Sequence, residues 1–384
     1  MRQIRMFGRL GLGLILAATL SAPAWAQGSA PEGFEWGYNK GFFFRNPQFE
    51  LKISTRTQFR YTYFMTDPDS TIGNNGVFTI PRARLRLDGY AFYSWIKYKV
   101  QYDFEGDTDA CVGPACTVIR RPDLRDLYFD ITRQPWYSVR LGQFKVPFGL
   151  QELTSSGDQE FVDRSLASEL FAPSRQQGAM LWGLSFEKKF GYEAGLFNGN
   201  GRNRVANDDV GYLYAVRVHW DPNGEYKLSE SAVDHPDTVN WTIGAAYNMN
   251  SIQKSLLKTA DHLRQDTAEG FFGLKYKRLF VLADYYLRRV QQTGTNDRAD
   301  RDGYIAQVGV FVTQKIEVSG RYSTIDINKD MSDDKSTERR LGFGWYFSKH
   351  ELKFQADYGQ VHEELLAPAD DRTNVFRSQL QIVF

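Results

Sequence analysis

From Phe49 to its last residue the chain alternates apolar and polar side chains with a period of two. Phe49, Leu51, Ile53, Thr55, Thr57, Phe59, Tyr61 and Tyr63 share one face, and Glu50, Lys52, Ser54, Arg56, Gln58, Arg60 and Thr62 share the other. Successive side chains of a β-strand point to opposite faces, so this segment reads as a strand with one apolar and one charged side. It is far longer than the soluble strand of about five or six residues. A membrane strand of about 9–11 residues with some overhang fits better.

The same alternation predicts sixteen strands, near 49–64, 77–90, 94–104, 123–133, 136–144, 178–188, 191–198, 210–221, 238–250, 267–277, 279–289, 302–312, 315–326, 338–348, 350–361 and 373–384. Connections after the even-numbered strands are mostly tight, as at Lys277-Arg278, while those after the odd-numbered strands are longer and rich in Asp, Asn and Gly. The segment from Pro222 to Asp237 is the exception, long where a short turn is expected. An even strand number, apolar-out and polar-in alternation, and alternating short and long connections predict an all-β fold, a sixteen-stranded antiparallel transmembrane β-barrel. In lipid only helices and closed barrels satisfy every backbone group. Sixteen strands leave a water-filled channel where eight would be filled by side chains.

Composition narrows the class further. Aromatic residues make up 15% of the chain, and the mean hydropathy is −0.47. No apolar run reaches the roughly 18–20 residues of a spanning helix, which excludes a helical transporter. Residues 1–26 read as a secretory signal peptide: Arg2, Arg5 and Arg9 precede an apolar stretch from Leu10 to Leu20, and Ala24-Trp25-Ala26 forms the cleavage site. Residues 27–48 then form an N-terminal periplasmic segment and residues 49–384 the barrel. Cleavage takes three of the 47 Lys and Arg and none of the 46 Asp and Glu, leaving a net charge of −2. Bulk charge therefore gives no reason to expect nucleic acid. Cys111 and Cys116 are the two cysteines and read as a local disulfide in an exported protein. The five histidines are scattered. No metal site and no cofactor are expected.

Two features bear on what passes through the pore. Lys52, Arg56, Arg60, Arg82, Arg84, Arg86, Lys97 and Lys99 face inward on the first three strands against only Glu50, Asp88 and Asp103. Arg82, Arg84 and Arg86 form a ladder with steps of roughly 6.6–6.8 Å. Rows of Arg and Lys in a pore favour anions and phosphate, and guanidinium grips oxyanions bidentately. The alternative is a transverse field of the kind found in general porins. The second feature is the longest connection, Lys145 to Gln177, which carries Asp158, Asp163, Arg164 and Arg175 with Phe148, Phe161 and Phe171 as apolar anchors. A loop this long is more often functional than slack. Folded inward it would narrow the lumen opposite the basic wall; the alternative is an extracellular lid or a latch between subunits.

Three stretches resemble the phosphate-selective porins O and P. They are Phe78-Thr-Ile-Pro-Arg-Ala-Arg-Leu-Arg-Leu-Asp-Gly-Tyr90, Leu141-Gly-Gln-Phe-Lys-Val-Pro-Phe-Gly-Leu150 running into Glu152-Leu-Thr-Ser-Ser156, and Phe161-Val-Asp-Arg-Ser-Leu166 with Phe171-Ala-Pro-Ser-Arg175. The resemblance implies a trimeric barrel in the bacterial outer membrane, a folded-in third loop, and an arginine ladder for phosphate at Arg82, Arg84 and Arg86. Pro81 stands where the family often has another Arg, and a proline there predicts a strand end or bulge. No Ser-His-Asp set, phosphate loop or HExxH run appears, so no enzyme activity is expected. The expected partners are small phosphate-like anions, outer-membrane lipid and two further copies of the chain.

Overall fold

The computed structural model describes residues 33–65, 73–105, 122–204, 207, 211–253, 262–292, 297–332, 334–363 and 371–384. The signal segment and both cysteines lie outside the described residues. Two short strands come first, β1 (Glu35–Tyr38) and β2 (Phe42–Asn46). Sixteen long ones follow. They are β3 (Phe49–Met65), β4 (Asn75–Ala91), β5 (Tyr93–Asp103), β6 (Asp123–Gln134), β7 (Tyr137–Lys145), β8 (Arg175–Ser185), β9 (Phe190–Phe197) and β10 (Leu213–Trp220). The second half comprises β11 (Asn240–Gln253), β12 (His262–Tyr276), β13 (Leu279–Gln292), β14 (Arg298–Phe311), β15 (Ile316–Asp326), β16 (Lys335–Ser348), β17 (Leu352–Glu363) and β18 (Asp371–Val383).

Each long strand pairs antiparallel with the next, and β18 pairs back onto β3 from Asn374↔Met65 to Val383↔Arg56. The sheet closes with sixteen strands, as the alternation predicts. Below that seam β2 takes over the same edge of β3, from Phe42↔Ile53 to Asn46↔Phe49, and Phe384 exchanges backbone hydrogen bonds with Thr55. The edge of β3 is thus covered along its length, which removes an unsatisfied row of donors and acceptors. The segment before Phe49 therefore contains two strands that the period-two reading does not include.

The face assignments hold strand by strand. On β10, Tyr214, Val216, Val218 and Trp220 are exposed outward, while Leu213, Ala215 and Arg217 are buried inward. No helix among the described residues is long and apolar enough to cross a membrane; the strands do the spanning. The ladder opposite β4 slips between Gln58↔Arg82 and Arg60↔Thr79, which leaves Ile80 and Pro81 as a bulge. Proline has no N–H for the ladder, so the extra residue falls where its absence costs least.

The connection after β7 spans 146–174, shorter at both ends than the 145–177 expected. Phe144↔Gln176 and Lys145↔Arg175 are still paired rungs, so β8 starts at Arg175 rather than at residue 178. This connection carries two short helices, α1 (Leu150–Leu153) and α2 (Leu166–Phe171), the second capped by the Ser165 side chain accepting from the Ser168 N–H. Its apolar anchors are sealed inside the barrel: Phe148, Phe161 and Phe171 are at most 2% exposed. Phe171 stacks on Tyr286 at 5.3 Å, and Arg321 lies 4.6 Å from the Phe161 ring. The hydrophobic core of this protein is the layer between the inward loop and the wall.

Candidate functional site

The loop is fixed to the β12–β18 wall mainly through its backbone. Glu269 accepts from the N–H groups of Gly149 and Leu150 at 2.7 and 2.9 Å, and Asp357 accepts from Val162 N–H at 3.1 Å. Arg288 donates to the carbonyls of Leu170 and Phe171, Arg321 to those of Asp163 and Arg164, and Lys353 to that of Gln159. Inward strand positions thus carry charged groups that satisfy a loop with little regular structure of its own. A buried loop without such partners would leave polar backbone groups unpaired at a cost of about 1–3 kcal/mol each.

Across the lumen stands the predicted ladder, and the loop reaches it at two points. Asp163 receives Arg60 at 2.7 Å, Arg82 at 3.2 Å and Arg377 at 2.9 Å. Burial alone would raise this carboxyl; Arg60, Arg377 and Arg82 overcome it and hold it well below the usual carboxylate range. The second point is Ser156, whose Oγ accepts from Arg84 at 2.9 Å and from Arg56 at 3.4 Å. Arg56 and Arg84 are direct cross-strand partners. Like charges directly opposite repel, and here a hydroxyl sits between the two guanidinium groups.

A cavity of about 1070 Å³ lies between ladder and loop. Eleven Lys or Arg line it against six Asp or Glu. The ladder is more neutralised than its own strands suggest. Arg84 pairs with Asp103 at 2.7 Å, Lys99 with Asp126 at 2.9 Å, and Arg86 with Asp88 at 2.7 Å. Asp126 and Asp163 come from outside the first three strands, which corrects the expectation that Glu50, Asp88 and Asp103 alone oppose the basic row. Lys52, Arg56 and Arg86 line a second, smaller cavity of about 370 Å³ toward the short-turn rim, with Asp158. Lys97 is exposed and lines neither cavity. Arg164 pairs with Glu152 at 2.9 Å, and Arg175 with Asp126 at 2.7 Å.

The segment 222–237 resolves the anomaly in connection lengths. It runs from the short-turn rim into the barrel, burying Tyr226, Glu230, Ser231 and Ala232. Its Glu230 N–H donates to Asp158 O at 2.7 Å, and the Glu230 carboxylate accepts from Glu160 N–H at 2.9 Å and Gln151 Nε2 at 3.2 Å. Two segments from opposite rims therefore meet inside the barrel. Burial, together with Glu317 and Glu230 nearby, pushes the Glu160 carboxyl well above its ordinary value. Residues missed by sequence reasoning, Arg140, Lys145 and Lys227 among them, also line the larger cavity. The overlong turn was the one signal pointing to Lys227.

The family model for phosphate-selective porin O and P matches residues 52–384. The chain belongs to that family. This porin also has the fold of solved porins at low identity. The anion-selective porin from Comamonas acidovorans is 12% identical with a TM-score of 0.60, over 88% of this chain and 100% of that one. The outer membrane channel DcaP of Acinetobacter baumannii is 11% identical with a TM-score of 0.62, over 88% and 98%. OmpT of Vibrio cholerae in its trimer form is 11% identical with a TM-score of 0.57, over 87% and 99%. An uncharacterized protein of Aquifex aeolicus is 23% identical over 258 residues; the alignment spans 61% of this porin and 61% of that relative's length. The porin is a bacterial outer-membrane protein, and its family is described as phosphate-selective.

Proposed function

We propose that small oxyanions of the phosphate class cross this channel along the row Arg60, Arg82, Arg84 and Arg56, and that the loop 146–174 screens them by size. The observation that carries the reading is the excess of cations around the larger cavity, eleven Lys or Arg to six Asp or Glu. Fixed positive charge lowers the barrier for an anion and raises it for a cation. The arginines already hold Asp103 and Asp163, so an entering anion competes with resident carboxylates. Binding stays weak enough for release, as conduction requires. Arg56 and Arg84 are the best-placed pair, because Ser156 between them brings a hydroxyl and no charge. We also propose a homotrimer, a reading supported by the trimer form of OmpT among the fold neighbours.

The test is a planar bilayer with purified protein and a KCl gradient. An anion-sign reversal potential, with chloride current blocked by added phosphate, is the expected result. Arg84→Gln should weaken both, and Arg84→Glu should weaken them further. A potential near zero without block would make this a general porin with a transverse field. Electrophoresis of the unheated protein in detergent reports the trimer.

A further inference from the structure

We infer that the turn between β10 and β11 is the second wall of the selective waist, and that Lys227 is its specificity-determining cation for tetrahedral oxyanions. The inference rests on the anion-channel reading above and adds to it an element from the opposite rim.

The waist is located by the two cavities themselves. Four residues line both of them: Arg84, Gln101, Lys227 and Leu228. A residue that borders two successive chambers stands at the passage between them. Arg84 and Gln101 come from β4 and β5, and Lys227 and Leu228 from the inward turn. The passage is thus bounded by the ladder on one side and by the turn on the other.

The turn is built to hold that position. Asp221 accepts from Tyr226 N–H at 2.9 Å, and Lys275 donates to Lys227 O at 2.8 Å and to Ser229 Oγ at 2.7 Å. His350 Nε2 lies 3.0 Å from Glu230 O, and Ser231 donates to Glu317 at 2.8 Å. These bonds bracket Lys227 on both sides, fixing its backbone and leaving its side chain free to sample the passage.

The Lys227 side chain also differs from most of the ladder. Arg60, Arg82, Arg84 and Lys99 each carry a carboxylate partner. Among the described residues no hydrogen bond or ion pair engages the Lys227 ammonium, and the residue is exposed although it lies inside the barrel. The Gln101 amide likewise has no hydrogen-bond partner among the described residues. An ammonium is a compact point charge with three rotatable donors on a flexible stem. Lining the smaller cavity together with Arg56 and Arg84, it completes a set of donors for a tetrahedral anion. Arg56 and Arg84 supply fixed planar forks, and Lys227 supplies the arm that can follow the ion from one chamber to the next.

The experiment compares Lys227→Gln, Lys227→Arg and Lys227→Glu with the native channel and with Arg84→Gln. Each is judged by reversal potential and phosphate block, with heat-modifiable mobility as the check of folding. Lys227→Gln should lower the anion-to-cation permeability ratio about threefold, the effect of one partly screened charge. It should also weaken phosphate block, Lys227→Arg should keep the ratio, and Lys227→Glu should lower it further. As an independent readout, Lys227→Cys treated with an anionic thiol reagent should lose conductance, with the native chain as the control for its own two cysteines. If Lys227→Gln and Lys227→Glu leave both ratio and block unchanged while Arg84→Gln reduces them, the turn is structural only and the inference fails with the channel reading intact. A native channel without anion preference would overturn both.

Discussion

Replacing Asp163 by asparagine separates two roles that the loop plays at once. The carboxylate accepts from Arg60 at 2.7 and 2.9 Å, from Arg82 at 3.2 Å and from Arg377 at 2.9 Å. The amide of Asp163→Asn would keep the shape and one acceptor oxygen but lose the charge. Breaking one side of a buried ion pair costs about 3–5 kcal/mol. The Asp163 side chain is 23% exposed, and the retained acceptor offsets part of the loss, so about 2–3 kcal/mol of stability is expected to go. The effect on permeation has the opposite sense. A unit charge about 8 Å from an ion in water is worth about 0.5 kcal/mol, favouring one sign and opposing the other. Removing it should raise the anion-to-cation ratio about fivefold at low salt and about two- to threefold near 0.1 M, where the screening length is about 10 Å. The assays are reversal potential in bilayers and thermal unfolding in detergent. A less stable channel with stronger anion preference is expected. A shift toward cations, or unchanged stability, would refute the reasoning.

Three further outcomes follow from individual contacts. A Cβ added at Gly157 would lie 2.3 Å from Arg56 Cζ, so Gly157→Ala should push that flexible guanidinium out of its place and weaken phosphate block several-fold without unfolding the barrel. At Gly342 an added Cβ would meet Ser319 Oγ at 2.3 Å and the Phe161 ring at 2.9 Å. Gly342→Leu should lift the loop from its wall, and a larger single-channel conductance would show it; an unchanged conductance would mean the loop does not set the bore. Glu160 carries a carboxyl raised by burial and by neighbouring carboxylates. Its protonated form is therefore the stabilised one: its contribution is complete below the ordinary carboxylate value and is lost as pH rises through the raised one. The native Tm should fall as pH rises above the ordinary carboxylate range, and Glu160→Gln should flatten that dependence.

The barrel was legible because lipid and water each dictate one side of every strand. Tyr214, Val216 and Val218 must face lipid while Arg217 must not, and that demand repeats with a period of two whatever the neighbouring strand is. The ladder positions followed from the same parity. What the pattern could not reveal was pairing across the lumen. Asp126 and Asp163 stand 27 and 103 residues from Lys99 and Arg60, their partners, and no local rule links them. The start of β8 was missed because Arg175, Gln176 and Gln177 are polar on both faces; Arg175 donates to Asp126, while Gln176 accepts from Gly201 N–H and Gln177 from Asn198, partners distant in sequence. The inward turn was visible only as excess length, and its destination depended on Glu230 finding Gln151 and Glu160.

Arg60 and Arg82 belong to the first barrel hairpin and Arg377 to the final strand, so the Asp163 carboxylate straddles the place where the two ends of the barrel sequence meet. Gln58 donating to Gln381 at 2.6 Å and Arg60 donating to Gln379 add a polar zip along the same line. Joining β18 to β3 closes a chain segment of more than 300 residues, the slowest kind of contact to form. A group that ties both margins after they meet acts on the lifetime of the closed cylinder, since reopening must first pull arginines from one shared anion. The same side chain that tempers the charge of the pore is the clasp that keeps the cylinder shut.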